Sequence, residues 1–411
     1  MKKITLKNNI RYLYILFVSF IPSSIFAQAT LEFTSGAGNP TGNGPTVANQ
    51  VITFQKNTNN PTGNTFTAYT PTTTAMFSLT NQQRTMIPSP NVGLMFGGTT
   101  SNSTGAVVNA FTLFPLVNGA GAPTNTIFTS GNSSAGTGID VTANRNVALY
   151  LSLRPLYENG AALPTVGNPI RHQYADLVIT FNRAVNNPII HFSGCGGSIG
   201  SAGSYNINFT PEFELITSGL SLTRLSGSTE FSVPNSTEIL NSAVLPNAAT
   251  GSGAMSGSVM VNGNNITSVT FRVYIKGVHP NQGQALYWTQ AITSQSGDVF
   301  TMGVSLSDCL AGTTAPSLSG TTITNTCPTT TVDLNSIHTG TTPSGSSLVW
   351  FTNNTHTGAA YATPTAATAG TYYAFYYDST NNCYSSASNA VIVTVNTCSA
   401  VCTGTTAPGI Q

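Results

Sequence analysis

Charge is what this chain has least of. Only 6% of its 411 residues are Asp, Glu, Lys or Arg, against about 25% in an ordinary soluble domain. Thirteen basic residues face twelve acidic ones, so no long-range field gathers nucleic acid or an anionic membrane. No twelve-residue window carries a 3.6-residue apolar period, which excludes long amphipathic helices. Past the first thirty residues no apolar run approaches the length of a membrane span.

What is present points to strands. Hydrophobic residues make up 40% of the chain, with 20 Phe and 15 Tyr, too apolar and aromatic for a disordered chain. The polar surface must come from Asn, Thr, Ser and Gly, which suit β edges and turns better than helix interiors.

The N-terminus has its own organisation. MKKITLKNNIR is a basic stretch, YLYILFVSFI an apolar one, and PSSIFAQA a small-residue zone. That order reads as a secretory signal peptide over about residues 1–28, cleaved after Ala27 or Ala29. Its apolar run is too short to cross about 30 Å of hydrocarbon as a helix. Removing Lys2, Lys3, Lys7 and Arg11 leaves nine basic against twelve acidic residues, a net charge of −3. The mature protein is expected to be secreted or on the outer cell surface, with no transmembrane segment beyond the signal peptide.

Residues 29–308 read as an all-β sandwich or jelly roll, with a possible domain break near 135–138. Candidate strands are Gln50–Gln55, Thr73–Thr80, Val107–Val117, Asn146–Pro155, Tyr174–Phe181, Asn187–Gly194, Asn206–Ile216, Ser268–Gly277 and Gly297–Asp308. The clearest is Ser268–Gly277, which alternates Val269, Phe271, Val273 and Ile275 with Thr270, Arg272, Tyr274 and Lys276. In the fourth, Val147, Leu149, Leu151 and Leu153 share one face.

Candidate chemistry in this region is thin. His172, Asp176 and His191 lack the short ligand spacing of a metal site. Glu212 and Glu214 share one strand face; such a pair can hold calcium or serve a glycosidase, but a polar face opposite Phe213 and Leu215 is the plainer reading. The run Ser193–Gly203 lacks the lysine of a phosphate cradle and reads as a loop. In His279–Gln290, Tyr287 and Trp288 beside Gln284 offer the aromatic faces and amides of a sugar site; a core Trp next to a loop gives the same string. No catalytic group, metal or cofactor is expected.

Export permits disulfides among Cys195, Cys309, Cys327, Cys383, Cys398 and Cys402. Cys327 and Cys383 bracket the C-terminal module and are expected to pair. Cys398 would then bond at the junction, to Cys309 or Cys402, and Cys195 has no evident mate. The sequence GTTAP at Gly312–Pro316 returns at Gly404–Pro408, 92 residues on. That offset is close to one immunoglobulin-like sandwich, so 309–397 reads as one such domain and 398–411 as the start of a truncated further repeat. In 317–397, Thr321–Ile337 suggests a first pair of strands with Val332, Leu334 and Ile337 inward. Trp350 occupies a core strand, Thr368–Asp378 is aromatic on both faces, and Val391, Val393 and Val395 close the sheet.

The segments CPTTTVDLNS (Cys327–Ser336), Leu348–Phe351 and AGTYYAFYYDSTNNCYSSASNAVIVTV (Ala369–Val395) resemble closely the immunoglobulin-like repeats of gliding and adhesion proteins secreted by Flavobacterium and relatives. More loosely, 138–308 resembles the sandwich modules at the front of large exported adhesins of the Bacteroidota. The resemblance implies type IX secretion through a sorting domain beyond Gln411. It implies an adhesin whose N-terminal domain is the binding tip and whose repeats are spacers. The expected partner is an extracellular glycan or surface protein. The alternatives are a lectin-like carbohydrate-binding module and, least favoured, a polysaccharide hydrolase using Glu212 or Glu214.

Overall fold

The computed structural model describes residues 30–33, 46–58, 65–69, 72–85, 93–97, 125–131, 136, 138–139, 146–199, 207–246, 253–280, 288, 297–312, 314–379 and 383–398. The leader, Val107–Val117, Gln284, Tyr287, Cys402 and the second GTTAP copy lie outside them.

The chain is all-β, and alternation decides its layers. In the strand Ile266–Val278, Val269, Phe271, Val273 and Ile275 are fully buried while Thr270, Arg272, Tyr274 and Lys276 stay partly exposed. It lies between Ile170–Val185 and Ile207–Leu215, antiparallel to both. Thr74–Thr80 and Gln50–Asn57 continue this sheet on one side, Glu238–Asn241 and Phe231–Ser232 on the other. A second face is built from Ser221–Gly227, Met255–Asn262, Ile189–Cys195 and Gly297–Ser307 in that spatial order. Thr30–Phe33 and Val147–Ser152 both pair with the far edge of Gly297–Ser307.

One strand joins the two faces. Residues 54–57 of Gln50–Asn57 pair with Thr30–Phe33, and residues 50–53 with Thr74–Thr80. Between the faces, aromatic rings interdigitate: Phe192 lies 4.6 Å from Phe213, and Phe213 lies 5.7 Å from Phe300. A single core runs from Leu31 to Leu306. Strands from before and after residues 135–138 pair directly, so no break in pairing falls there among the described residues.

Three local expectations change. The Tyr174–Phe181 strand is twice as long, Ile170–Val185, because the polar residues around its apolar centre occupy the outer face. Half of the glycine-rich run is strand rather than loop: Ile189–Cys195 ends in it, and Gly197–Ile199 pairs with Ile207–Phe209. Gly197 permits that pairing, because a Cβ there would sit 2.7 Å from the Phe209 ring. Finally, Thr321–Ile337 forms one strand, Thr322–Thr324, followed by a 3-10 turn at Leu334–Ile337. Asp333 diverts the chain by accepting the Asn335 N–H at 2.9 Å. Val332, Leu334 and Ile337 are nevertheless buried.

The C-terminal module packs Trp350, Tyr372, Ala374, Val391 and Val393 around that turn. Trp350 Nε1 donates to Asn335 Oδ1 at 2.9 Å. Its sheet runs Thr322–Thr324, Val391–Thr394, Gly370–Asp378, Ser347–Phe351, and the first pair is parallel.

That parallel pair overturns the Cys327–Cys383 pairing. Thr324 is level with Thr394, so Cys327 and Cys398 emerge at the same end of the module and are bonded, with their Cα atoms 5.5 Å apart. Asn325 stitches this end by accepting the Asn396 N–H and donating to Asn396 O. Gly370–Asp378 runs antiparallel to Val391–Thr394, which carries Asp378 and the facing Cys383 to the opposite end. There the Leu310 N–H donates to Asp378 Oδ2 at 2.9 Å, and Cys383 is bonded to Cys309. Cys195 is a buried free thiol. Each bond closes more than 70 residues, worth about 4 kcal/mol in the chain-entropy picture. Peptide mapping of the oxidised protein under non-reducing conditions should recover the 309–383 and 327–398 cross-links; a 327–383 cross-link would contradict this topology.

Candidate functional site

The sequence-nominated residues do not meet in one place. Glu212 and Glu214 project from Ile207–Leu215 on the face opposite Phe213 and Leu215, as alternation requires. Glu212 is buried, accepts Lys276 Nζ at 3.0 Å and stands 3.5 Å from Arg171 Nε. Glu214 Oε2 accepts the Tyr274 hydroxyl at 2.7 Å. Arg171 lies 3.9 Å over the Tyr274 ring and donates to Glu238 at 2.8 Å, which holds the Glu238 carboxyl below its usual range. Arg272 donates to Asp176 at 3.0 Å. Seven of the chain's 25 charged residues, four acids and three bases, thus gather into one lattice on a single sheet face. The partners of this carboxylate pair are bases and a phenol, whereas a glycosidase needs a second carboxylate across a cleft.

His172, Asp176 and His191 stay apart. His172 contacts Arg84 and Ala162 O, Asp176 belongs to the lattice, and His191 lies in the other sheet between Ser258 (2.7 Å) and Ser305 (2.8 Å). Among the described residues, the one cluster of metal-ligand side chains is Cys309, Asp378 and Cys383, whose sulfurs are bonded to each other.

Trp288 is a core residue. It is 1% exposed, its Nε1 donates to Ala162 O at 2.7 Å, and its ring lies on Gly277, where any Cβ would run into it. The ring therefore cannot offer a face to a sugar, and this corrects the sequence expectation. Tyr287 and Gln284 lie outside the described residues.

Two grooves do exist, and neither was legible in the sequence. One, of about 550 Å³, is apolar and lined by Val166, Pro169, Val244, Leu245 and Val278, with Lys276 at its edge. The other, of about 650 Å³, lies where the sandwich meets the C-terminal module. On the sandwich side it presents Arg183, Asn186 and Asn265. The turns carrying the amides are zipped together: Asn265 N–H donates to Asn186 Oδ1 at 2.8 Å, and Gly263 N–H to Asn187 Oδ1 at 3.0 Å. Asn187 and Asn265 have φ of 45° and 55°, a left-handed backbone that Asn tolerates better than most residues.

On the other side stand Thr355, His356, Thr357 and Tyr384. Asn353 Oδ1 gathers the N–H groups of Thr355 and Thr357, and His356 between them is held at a φ of 46°. Its ring stacks on Tyr384 at 4.5 Å, and Tyr384 in turn stacks on Tyr377 at 4.5 Å. Asn-Asn-Pro at 186–188 and Gly-Asn-Asn at 263–265 mark turns in the sequence, but nothing local says that the two turns meet.

Comparison with known protein families, curated proteins and solved structures finds no match for this chain.

Two buried titrating groups give opposite pH signatures. Burial pushes the His191 imidazole down to about 3. The unfolded chain then binds more protons than the folded one between about 3 and 6.5, so this term's stability is present above 6.5 and lost on acidification. Burial raises the Asp298 carboxyl to about 7, against backbone hydrogen bonds that include Gly196 N–H. Its term is present below about 3.8 and lost as pH rises through 7. In melts across pH 3–8, His191→Gln should flatten the acid-side fall and Asp298→Asn the neutral-side fall. Unchanged profiles would contradict these environments. Gly277→Ala, by forcing the Trp288 ring aside, should cost about 1–3 kcal/mol in chemical denaturation.

Proposed function

We propose that this is an exported, non-catalytic surface-binding protein, with the N-terminal sandwich as the binding body and the C-terminal module as a spacer. This keeps the reading suggested by the resemblance to secreted adhesins. The observation that carries it is the crossing of the two disulfides. The loops 309–383 and 327–398 overlap, so a pull across the module finds a short covalent path. From Cys309 that path crosses to Cys383 and then needs only the 15 residues to Cys398. Fully extended, those residues span about 50 Å, against about 300 Å for the unlocked chain from 309 to 398. Such a module keeps its length under load, as a spacer must and an enzyme's accessory domain need not.

Single-molecule stretching between handles placed just before Cys309 and just after Cys398 tests this. With the bonds intact, opening the module should release no more than about 50 Å of contour length; after reduction the release should approach about 300 Å. A long release without reductant would refute the spacer reading.

A further inference from the structure

From the junction groove we infer a binding site for an acidic polysaccharide, a chain of sugars bearing carboxylate or sulfate groups. The inference rests on the surface-binding reading and gives it a ligand class. Arg183 supplies the charge. Its Nε donates to Thr73 Oγ1 at 2.7 Å, which fixes the side chain, and among the described residues no carboxylate pairs with it. No carboxylate lines the groove. The nearest acids are committed elsewhere: Asp308 binds Lys56, and Asp378 is buried and accepts the Leu310 N–H. A guanidinium flanked by amides and hydroxyls matches an anionic oxygen group with sugar hydroxyls beside it. Asn186 and Asn265 provide the amides on one wall and Thr357 a hydroxyl on the other.

The aromatic component favours a sugar over an acidic peptide. His356 is exposed and caps the ladder that continues through Tyr384 to Tyr377. Its flat face, held against the groove, suits the apolar face of a pyranose. The volume of about 650 Å³ lies in the range of small-ligand sites and would admit two or three sugar units of a longer chain. Cys383 precedes Tyr384, so the Cys309–Cys383 bond ties this wall to the end of the strand Gly297–Ser307 and holds the two walls together. Attraction at long range cannot explain such binding, because the mature chain is net negative. Retention of a polyanion therefore reports on the local site.

Affinity electrophoresis of the oxidised protein tests this in gels carrying polygalacturonate, a sulfated dextran, neutral dextran or poly-glutamate. Retardation by either or both acidic polysaccharides is expected, and the pattern tells carboxylate from sulfate preference. Arg183→Gln should weaken it at least tenfold. His356→Gly should weaken it about three- to tenfold, and glycine accepts the local φ without strain, so this variant stays testable if the arginine variant folds poorly. Equal retardation of both variants and the parent, equal retardation by neutral dextran or by poly-glutamate, or no retardation in any gel would overturn the assignment. No retardation of the parent protein in any gel, with its short stretching release intact, would refute this site and leave the spacer standing.

Discussion

The bond between Cys309 and Cys383 is the constraint on which the relation of the two halves depends. Interfaces between domains of one chain are small and polar by default and permit relative motion. This junction follows that pattern in its chemistry, with asparagines, threonines, one arginine and one histidine at its groove. Among the described residues no ion pair crosses from the sandwich to the C-terminal module. The disulfide, two residues beyond the strand Gly297–Ser307, does so covalently.

Scarce charge also makes its placement informative. The lattice on Ile170–Val185, Ile266–Val278, Ile207–Leu215 and Glu238–Asn241 spends seven charged residues on a face where hydroxyls and amides serve elsewhere in the protein. Individually its exposed pairs are worth about 0–1 kcal/mol. The Glu212 carboxylate is different, being 2% exposed and flanked by Lys276 and Arg171. Removing both bases would leave a buried charge unpaired, a loss of several kcal/mol, whereas the intact group roughly balances its own desolvation. The lattice thus gives the outer face a single register more than it adds net stability.

Periodicity was the legible part. In Ile266–Val278, whose outer face is polar, alternation named Val269, Phe271, Val273 and Ile275 as inward, and all four are buried. Where both faces are covered, as in Val147–Ser152, all six residues are buried, and alternation names only half of them. The disulfides were misread because bracketing in sequence says nothing about which end of a module a residue reaches. A three-residue parallel pairing of Thr322–Thr324 with Val391–Thr394 decides that, and its Thr-Ile-Thr string is too short to announce itself. Trp288 was ambiguous for a related reason. The signal of its burial is Gly277, on a different element, whose missing side chain makes room for the ring. The junction groove draws on four separated segments, the end of one strand, a two-residue strand and two turns, none of which marks a site taken alone.

Mechanical load connects the proposed spacer to the proposed site. A pull on Cys398 reaches the sandwich through Cys309, and so enters at the C-terminal end of Gly297–Ser307. That strand is interior: Ile189–Cys195 borders it on one side, Val147–Ser152 and Thr30–Phe33 on the other. A load on this strand is opposed by hydrogen bonds on both of its sides, whereas an edge strand has a partner on one side only. Cys383 of the Cys309–Cys383 bond lines the groove together with Arg183 and His356, so a ligand held there sits beside the bond through which the load enters. A module joined by a flexible linker could hold the same residues, but its walls would separate under the tension that attachment imposes.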